Sequence, residues 1–66
     1  MFEIDSGVVR GLMLERQKTI RELASDAKIT PVTAARLIRG GKANARTAGK
    51  LAVALGVDGE RIIKKS

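Results

Sequence analysis

An all-α fold of five short helices is predicted by three features of the sequence: apolar residues recurring at i, i+3 and i+4, helix-start signals each followed by a stop, and a length that leaves little room for a sheet. At 66 residues the chain falls in the range of one small domain, and the expectation is a single domain over residues 1–66. No internal repeat, low-complexity tract or linker interrupts it.

Asp5 or Ser6 can cap a first helix, in which Val9, Leu12 and Met13 follow the helical spacing and which ends near Arg16 or Gln17. Thr19-Ile20-Arg21-Glu22 is a capping box: the Thr hydroxyl accepts from the third backbone N–H while Glu22 reaches back. Ile20, Leu23, Ala24 and Ala27 then form the apolar stripe of a second helix running to about Ala27. Lys28-Ile29 makes a tight turn into Thr30-Pro31, a side-chain cap followed by proline at the first helical position, where its missing N–H costs nothing.

The third helix points Ala34, Leu37 and Ile38 inward and presents Val32, Thr33, Ala35, Arg36 and Arg39 outward. It stops at Gly40-Gly41, because glycine tolerates the positive φ that ends a helix. After a basic loop from Lys42, Asn44 caps a fourth helix with Ala48, Leu51, Ala52 and Leu55 inward, closed by Gly56. Asp58 caps a short fifth helix carrying Ile62 and Ile63, and at the other end Phe2 and Ile4 alternate with Glu3 and Asp5 in the pattern of a short strand.

Composition narrows function. Cysteine and histidine are both absent, which removes disulfides, structural zinc, thiol nucleophiles and imidazole acid/base chemistry. The seven carboxylates leave no nucleophile with a base to activate it, so neither an enzyme nor a cofactor nor a metal is expected. The longest apolar run, Leu51 to Val57, contains a glycine and falls far short of the roughly 20 residues needed to span a bilayer. The opening Met1-Phe2-Glu3-Ile4-Asp5 is acidic where a secretory signal is basic, so a cytoplasmic location is expected. Aromatic residues are 2% of the chain, which leaves no platform for stacking the bases of single strands.

The net charge of +6 is localised. Lys28, Arg36, Arg39, Lys42, Arg46 and Lys50 lie in a window free of acids, while the remaining basic and acidic residues balance. Such a window is a solvated face or a surface for a polyanion; the absence of carboxylates fits the second, since each would subtract from phosphate binding. Helices two and three, the first ending at Ala27 and the second at Gly40, are capped helices joined by a turn of about three residues, the spacing of a helix-turn-helix, with a plain helical hairpin as the alternative.

Thr19-Ile20-Arg21-Glu22-Leu23-Ala24, Ala27, Ile29-Thr30, Arg36-Leu37-Ile38-Arg39-Gly40 and Leu51-Ala52-Val53-Ala54-Leu55-Gly56-Val57 form an ordered series that resembles the Cro and repressor type of helix-turn-helix regulators, the XRE family. The resemblance is nearly full length. It implies a lambda-repressor-like domain of five helices that binds double-stranded operator DNA, mostly as a two-fold dimer regulating transcription, with the third helix in the major groove. Three positions depart from the family pattern: Ile20 stands where a phosphate-contacting Gln is common, Lys28 where the turn often has Gly, and Met13 and Ile38 where many members bury an ion pair. Packed apolar side chains are a sound replacement for such a pair, so Met13 is expected against Ile38. Lys28 is expected beside DNA, with a modest strain if its φ is positive.

Within this frame Arg36 is the candidate for direct base reading, because a guanidinium bonds both O6 and N7 of guanine; a phosphate-only role is its alternative. Pro31, Val32 and Ala35 offer apolar contact to thymine methyls, and Thr33 a base-edge or phosphate bond. The resemblance implies phosphate contacts for Arg39, Lys42, Asn44, Arg46 and Lys50, with Lys28 beside them and Thr19 either a contact or a simple cap. Val53, Val57, Ile62 and Ile63 are candidates for a homodimer contact, or else they seal the core. A protein-interaction module of antitoxin type, with secondary DNA binding, is the alternative function; a membrane-surface role is disfavoured by narrow apolar stripes without an aromatic anchor.

Overall fold

A computed structural model describes residues 1–65. Five helices occur among them: α1 (Ser6–Glu15), α2 (Ile20–Ala27), α3 (Pro31–Ile38), α4 (Ala45–Leu55) and α5 (Gly59–Ile62). Two short strands, β1 (Phe2–Glu3) and β2 (Lys42–Ala43), pair antiparallel, with Phe2 opposite Ala43 and Glu3 opposite Lys42. The fold is all-α with a small ribbon. The partner strand is a correction to the expected basic loop at Lys42: two residues too few to show a strand pattern are held extended by a segment far away in sequence.

Local chemistry sets the helix starts. Asp5, not Ser6, caps α1, its carboxylate accepting from the Val8 N–H at 3.2 Å. The capping box at Thr19 is complete, and Thr30 and Asn44 cap α3 and α4 through the N–H groups of Thr33 and Thr47. Asp58 precedes α5 in extended conformation but makes no side-chain cap bond, contrary to the capping role expected of it.

Four helices end alike, each with a residue in left-handed conformation followed by an N–H that bonds back to the carbonyl five residues earlier. The left-handed residues are Gln17, Lys28, Gly40 and Gly56. The closing bonds run from Lys18 to Met13, Ile29 to Ala24, Gly41 to Arg36 and Val57 to Ala52, at 2.9–3.1 Å. Lys28, at φ 58°, therefore adopts the backbone usually left to glycine.

The core gathers one face of each helix: Val9 and Leu12, Leu23, Leu37 and Ile38, Ala48, Leu51, Ala52 and Leu55, and Ile62, joined by Ile4 and Ala43 from the ribbon. No polar or charged side chain is buried among the described residues, so apolar burial is the main stabilising term. Ile38 lies in this core and Met13 packs against it, with α1 touching α3, in keeping with the apolar substitute for an ion pair. Ile20, expected in the buried stripe of α2, is 39% exposed, because the first residue of the helix lies at the edge of the interface. Ile63 lies beyond α5 rather than in it, half-buried and bridged to Ile4.

β1 thus joins two regions. On one side the Ile4 N–H donates to the Gly41 carbonyl at 3.1 Å, directly after α3. On the other, the Asp5 N–H donates to Ile62 and the Lys64 N–H to Glu3, at 2.7 and 2.8 Å.

Candidate nucleic-acid interface

α2 and α3 pack on each other, and α2 also packs on α4, which leaves the outer side of α3 uncovered. Three residues, Lys28 to Thr30, turn the chain between α2 and α3, with Ile29 half-buried beneath the turn. Because Ala34, Leu37 and Ile38 are all buried, the opposite face of α3 is fixed outward. That face carries Pro31 and Arg36, both exposed, half-buried Ala35, and Val32 at 80% exposure.

The polar groups of this face are tethered. The hydroxyls of Thr30 and Thr33 are 2.9 Å apart and hydrogen-bonded, so Thr33 is tied to the cap at the start of its own helix. Arg36 reaches across to β2, its Nη1 donating to the Lys42 carbonyl at 2.9 Å. A guanidinium carries further N–H donors, so this bond orients the group without exhausting it. Gly41 lets the side chain lie there: a Cβ at that position would meet the Arg36 carbonyl oxygen at 2.8 Å and its Cγ at 3.1 Å. The Gly40-Gly41 pair reads in sequence as a helix stop, and the close approach at the second glycine is the part that reading missed.

Cations border the helix. Arg39 lines a cleft with Val32, Ala35, Arg36, Gly40 and Gly41, on the C-terminal side of the exposed face. Lys28 and Lys50, far apart in sequence, line one groove between α2 and α4 with Val53 and Asp26. Asp26 is the acid of that groove, and it is ion-paired with Lys18. Lys42, Asn44 and Arg46 are exposed where β2 leads into α4. The first turns of α3 and α4 hold no acidic residue, so their backbone N–H ends keep the positive dipole that attracts anions.

The start of α2 differs. Glu22 Oε1 accepts from the Thr19 backbone N–H at 2.9 Å, which places a carboxylate on the donor that a phosphate would need. Thr19 caps α2 in this structure.

The residues considered for pairing separate into groups. Val53 is 79% exposed, while Val57 packs against the core and Ile63 bridges Ile4. Ile62, expected among the pairing candidates, has no exposed surface to offer a partner; it is a core residue of its own domain.

A helix-turn-helix family model matches residues 9–62, from within α1 to the end of α5. The chain belongs to the Cro/repressor type of helix-turn-helix family. Members of this family are DNA-binding regulator domains, so DNA is the partner that the match supports. A similar solved structure is that of Streptomyces albus HEPD with substrate 2-hydroxyethylphosphonate and Fe(II) bound, at 29% identity and a TM-score of 0.78. The match covers 88% of this chain but 13% of that one, so this helix-turn-helix domain is similar to a small part of a much longer protein. No curated protein matches the chain. No helix among the described residues is long and apolar enough to cross a membrane.

Proposed function

We propose that this helix-turn-helix domain is a sequence-specific transcriptional regulator, acting as a repressor in the cytoplasm, that places α3 in the major groove of duplex DNA. The observation that carries the reading is the coincidence of an uncovered α3 face with a surrounding chain segment, Lys28 to Lys50, that is basic and free of acids. Arg36, Thr33, Val32, Pro31 and Ala35 meet base edges, with Arg36 the reader of guanine. Lys28, Arg39, Lys42, Asn44, Arg46 and Lys50 hold the phosphates on either side. A domain seated over a promoter in this way blocks transcription by occupancy alone.

Pairing of two copies completes the proposal. The longest extent of one domain is 28 Å, below the roughly 34 Å helical repeat of DNA, so two domains fit side by side on successive turns. Val53, the exposed large apolar residue of α4, is their contact, with half-buried Val57 and Ile63 as further contributors, and two-fold pairing requires a palindromic operator.

Titration of a labelled duplex at several salt concentrations tests the electrostatic half of the reading. Five engaged cations per domain give a slope of log K against log salt near −4.5. A slope near zero would remove the phosphate contacts and with them the orientation of α3.

A further inference from the structure

Val32 is the outlying residue of α3. Every other large aliphatic side chain of this helix is buried, yet Val32, its second residue, is 80% exposed. Arg36 follows it by one turn on the same face, and both line one cleft with Ala35 and Arg39. The Arg36 guanidinium is anchored at its far end on the Lys42 carbonyl, 2.9 Å away, which fixes its direction from that shared cleft.

We propose that Val32 and Arg36 together read a 5-methylpyrimidine next to a guanine, so that the domain accepts thymine and 5-methylcytosine alike at one position of its site. The inference rests on the reading that α3 enters the major groove. A valine has no hydrogen-bonding group. It cannot tell the O4 acceptor of thymine from the N4 donor of cytosine, and what it senses is the methyl at C5, which thymine carries and cytosine gains on methylation. Adjacent bases are about 3.4 Å apart and residues one helical turn apart are about 5–6 Å apart, so a methyl reader and a longer guanidinium reach neighbouring pairs. Cytosine methylation at a CG step would therefore raise affinity, making the modification state of the DNA an input to regulation.

The test uses one randomised duplex pool prepared in three forms: with thymine, with uracil in its place, and with 5-methylcytosine in place of cytosine. Enriched duplexes are then bound in solution by the intact chain and by Val32→Ala, whose exposed position leaves the core untouched. The expected result is enrichment of a TG step in the first pool, its loss in the second, and enrichment of methylated CG as well as TG in the third. Each methyl strengthens binding about fourfold, and Val32→Ala abolishes the difference. Equal binding of thymine and uracil duplexes at every enriched position would overturn the methyl reading while leaving groove binding intact. Failure of every pool to enrich any sequence would overturn the groove reading, and the methyl reading with it.

Discussion

Arg36 and Lys42 are joined across the end of α3: the Arg36 Nη1 donates to the Lys42 carbonyl at 2.9 Å, while the Gly41 N–H between them donates to the Arg36 carbonyl at 3.1 Å. α3 and β2 are thereby locked together, and β2 is in turn held by β1. The base-reading candidate and the first of the phosphate candidates after the helix are thus parts of one rigid unit.

The two residues are expected to act differently on DNA. Arg36→Ala weakens specific binding by about 1–3 kcal/mol and relaxes preference at one base pair, and Arg36→Lys, which keeps the charge and loses the planar fork, relaxes it similarly. Lys42→Ala weakens binding to all sequences alike and flattens the salt slope by about one. Titrations of specific and random duplexes separate the two, and equal losses on both from Arg36→Ala would assign Arg36 to phosphate.

Gly41→Ala is expected to destabilise the fold. Its Cβ would lie 2.8 Å from a backbone oxygen of α3, which cannot rotate away, so the helix end or the ribbon must shift. A cost of about 1–3 kcal/mol lowers the melting temperature by roughly 5–20 °C in a domain this small. An unchanged melting curve would show the loop to be looser than described.

Lys28→Gly is expected to separate stability from binding. Lys28 sits at φ 58°, where an L side chain costs about 1 kcal/mol and glycine does not. The variant should melt higher and bind every duplex more weakly. A gain in stability with unchanged DNA affinity would remove Lys28 from the phosphate contacts.

Thr19→Ala is expected to cost about 1 kcal/mol of stability through loss of the cap and to leave the salt slope unchanged, because Glu22 already occupies the backbone N–H at that helix start. Thermal denaturation and titration on the same preparation check both halves.

Ile62→Ala and Val53→Asp separate core from pairing surface. Ile62 is fully buried, so its truncation costs about 2–5 kcal/mol, a large share of what a domain of this size has. Val53 is 79% exposed, so Val53→Asp should leave the melting temperature nearly unchanged and shift sedimentation toward the monomer. Sedimentation identical to the unaltered chain would move the pairing surface elsewhere.

The helices were legible because their signals are local. Thr19, Thr30 and Asn44 each sit at a helix start and each accept the backbone N–H three residues on, a relation visible in sequence. What stayed hidden is long-range. Lys42 and Ala43 become a strand only because Phe2 and Glu3 lie beside them, and Arg36 finds its acceptor only when that strand is in place. Gln17 takes a left-handed conformation with no glycine to announce it. Ile62 shows a different limit: in a helix as short as α5, apolar spacing does not tell a core residue from a surface one. The outward set on α3 is readable from its buried complement, whereas the tethering of Thr33 and Arg36 depends on side-chain contacts that arise only in the folded chain.

Selection from a randomised duplex pool, with the enriched sequences rebound at several salt concentrations, tests the central claim most directly. The expected result is an inverted repeat whose half-sites lie about one helical turn apart, bound far more tightly than random duplex at the same salt. Weak, steeply salt-dependent binding with no sequence enriched would contradict it, leaving α3 as a scaffold element within a basic surface.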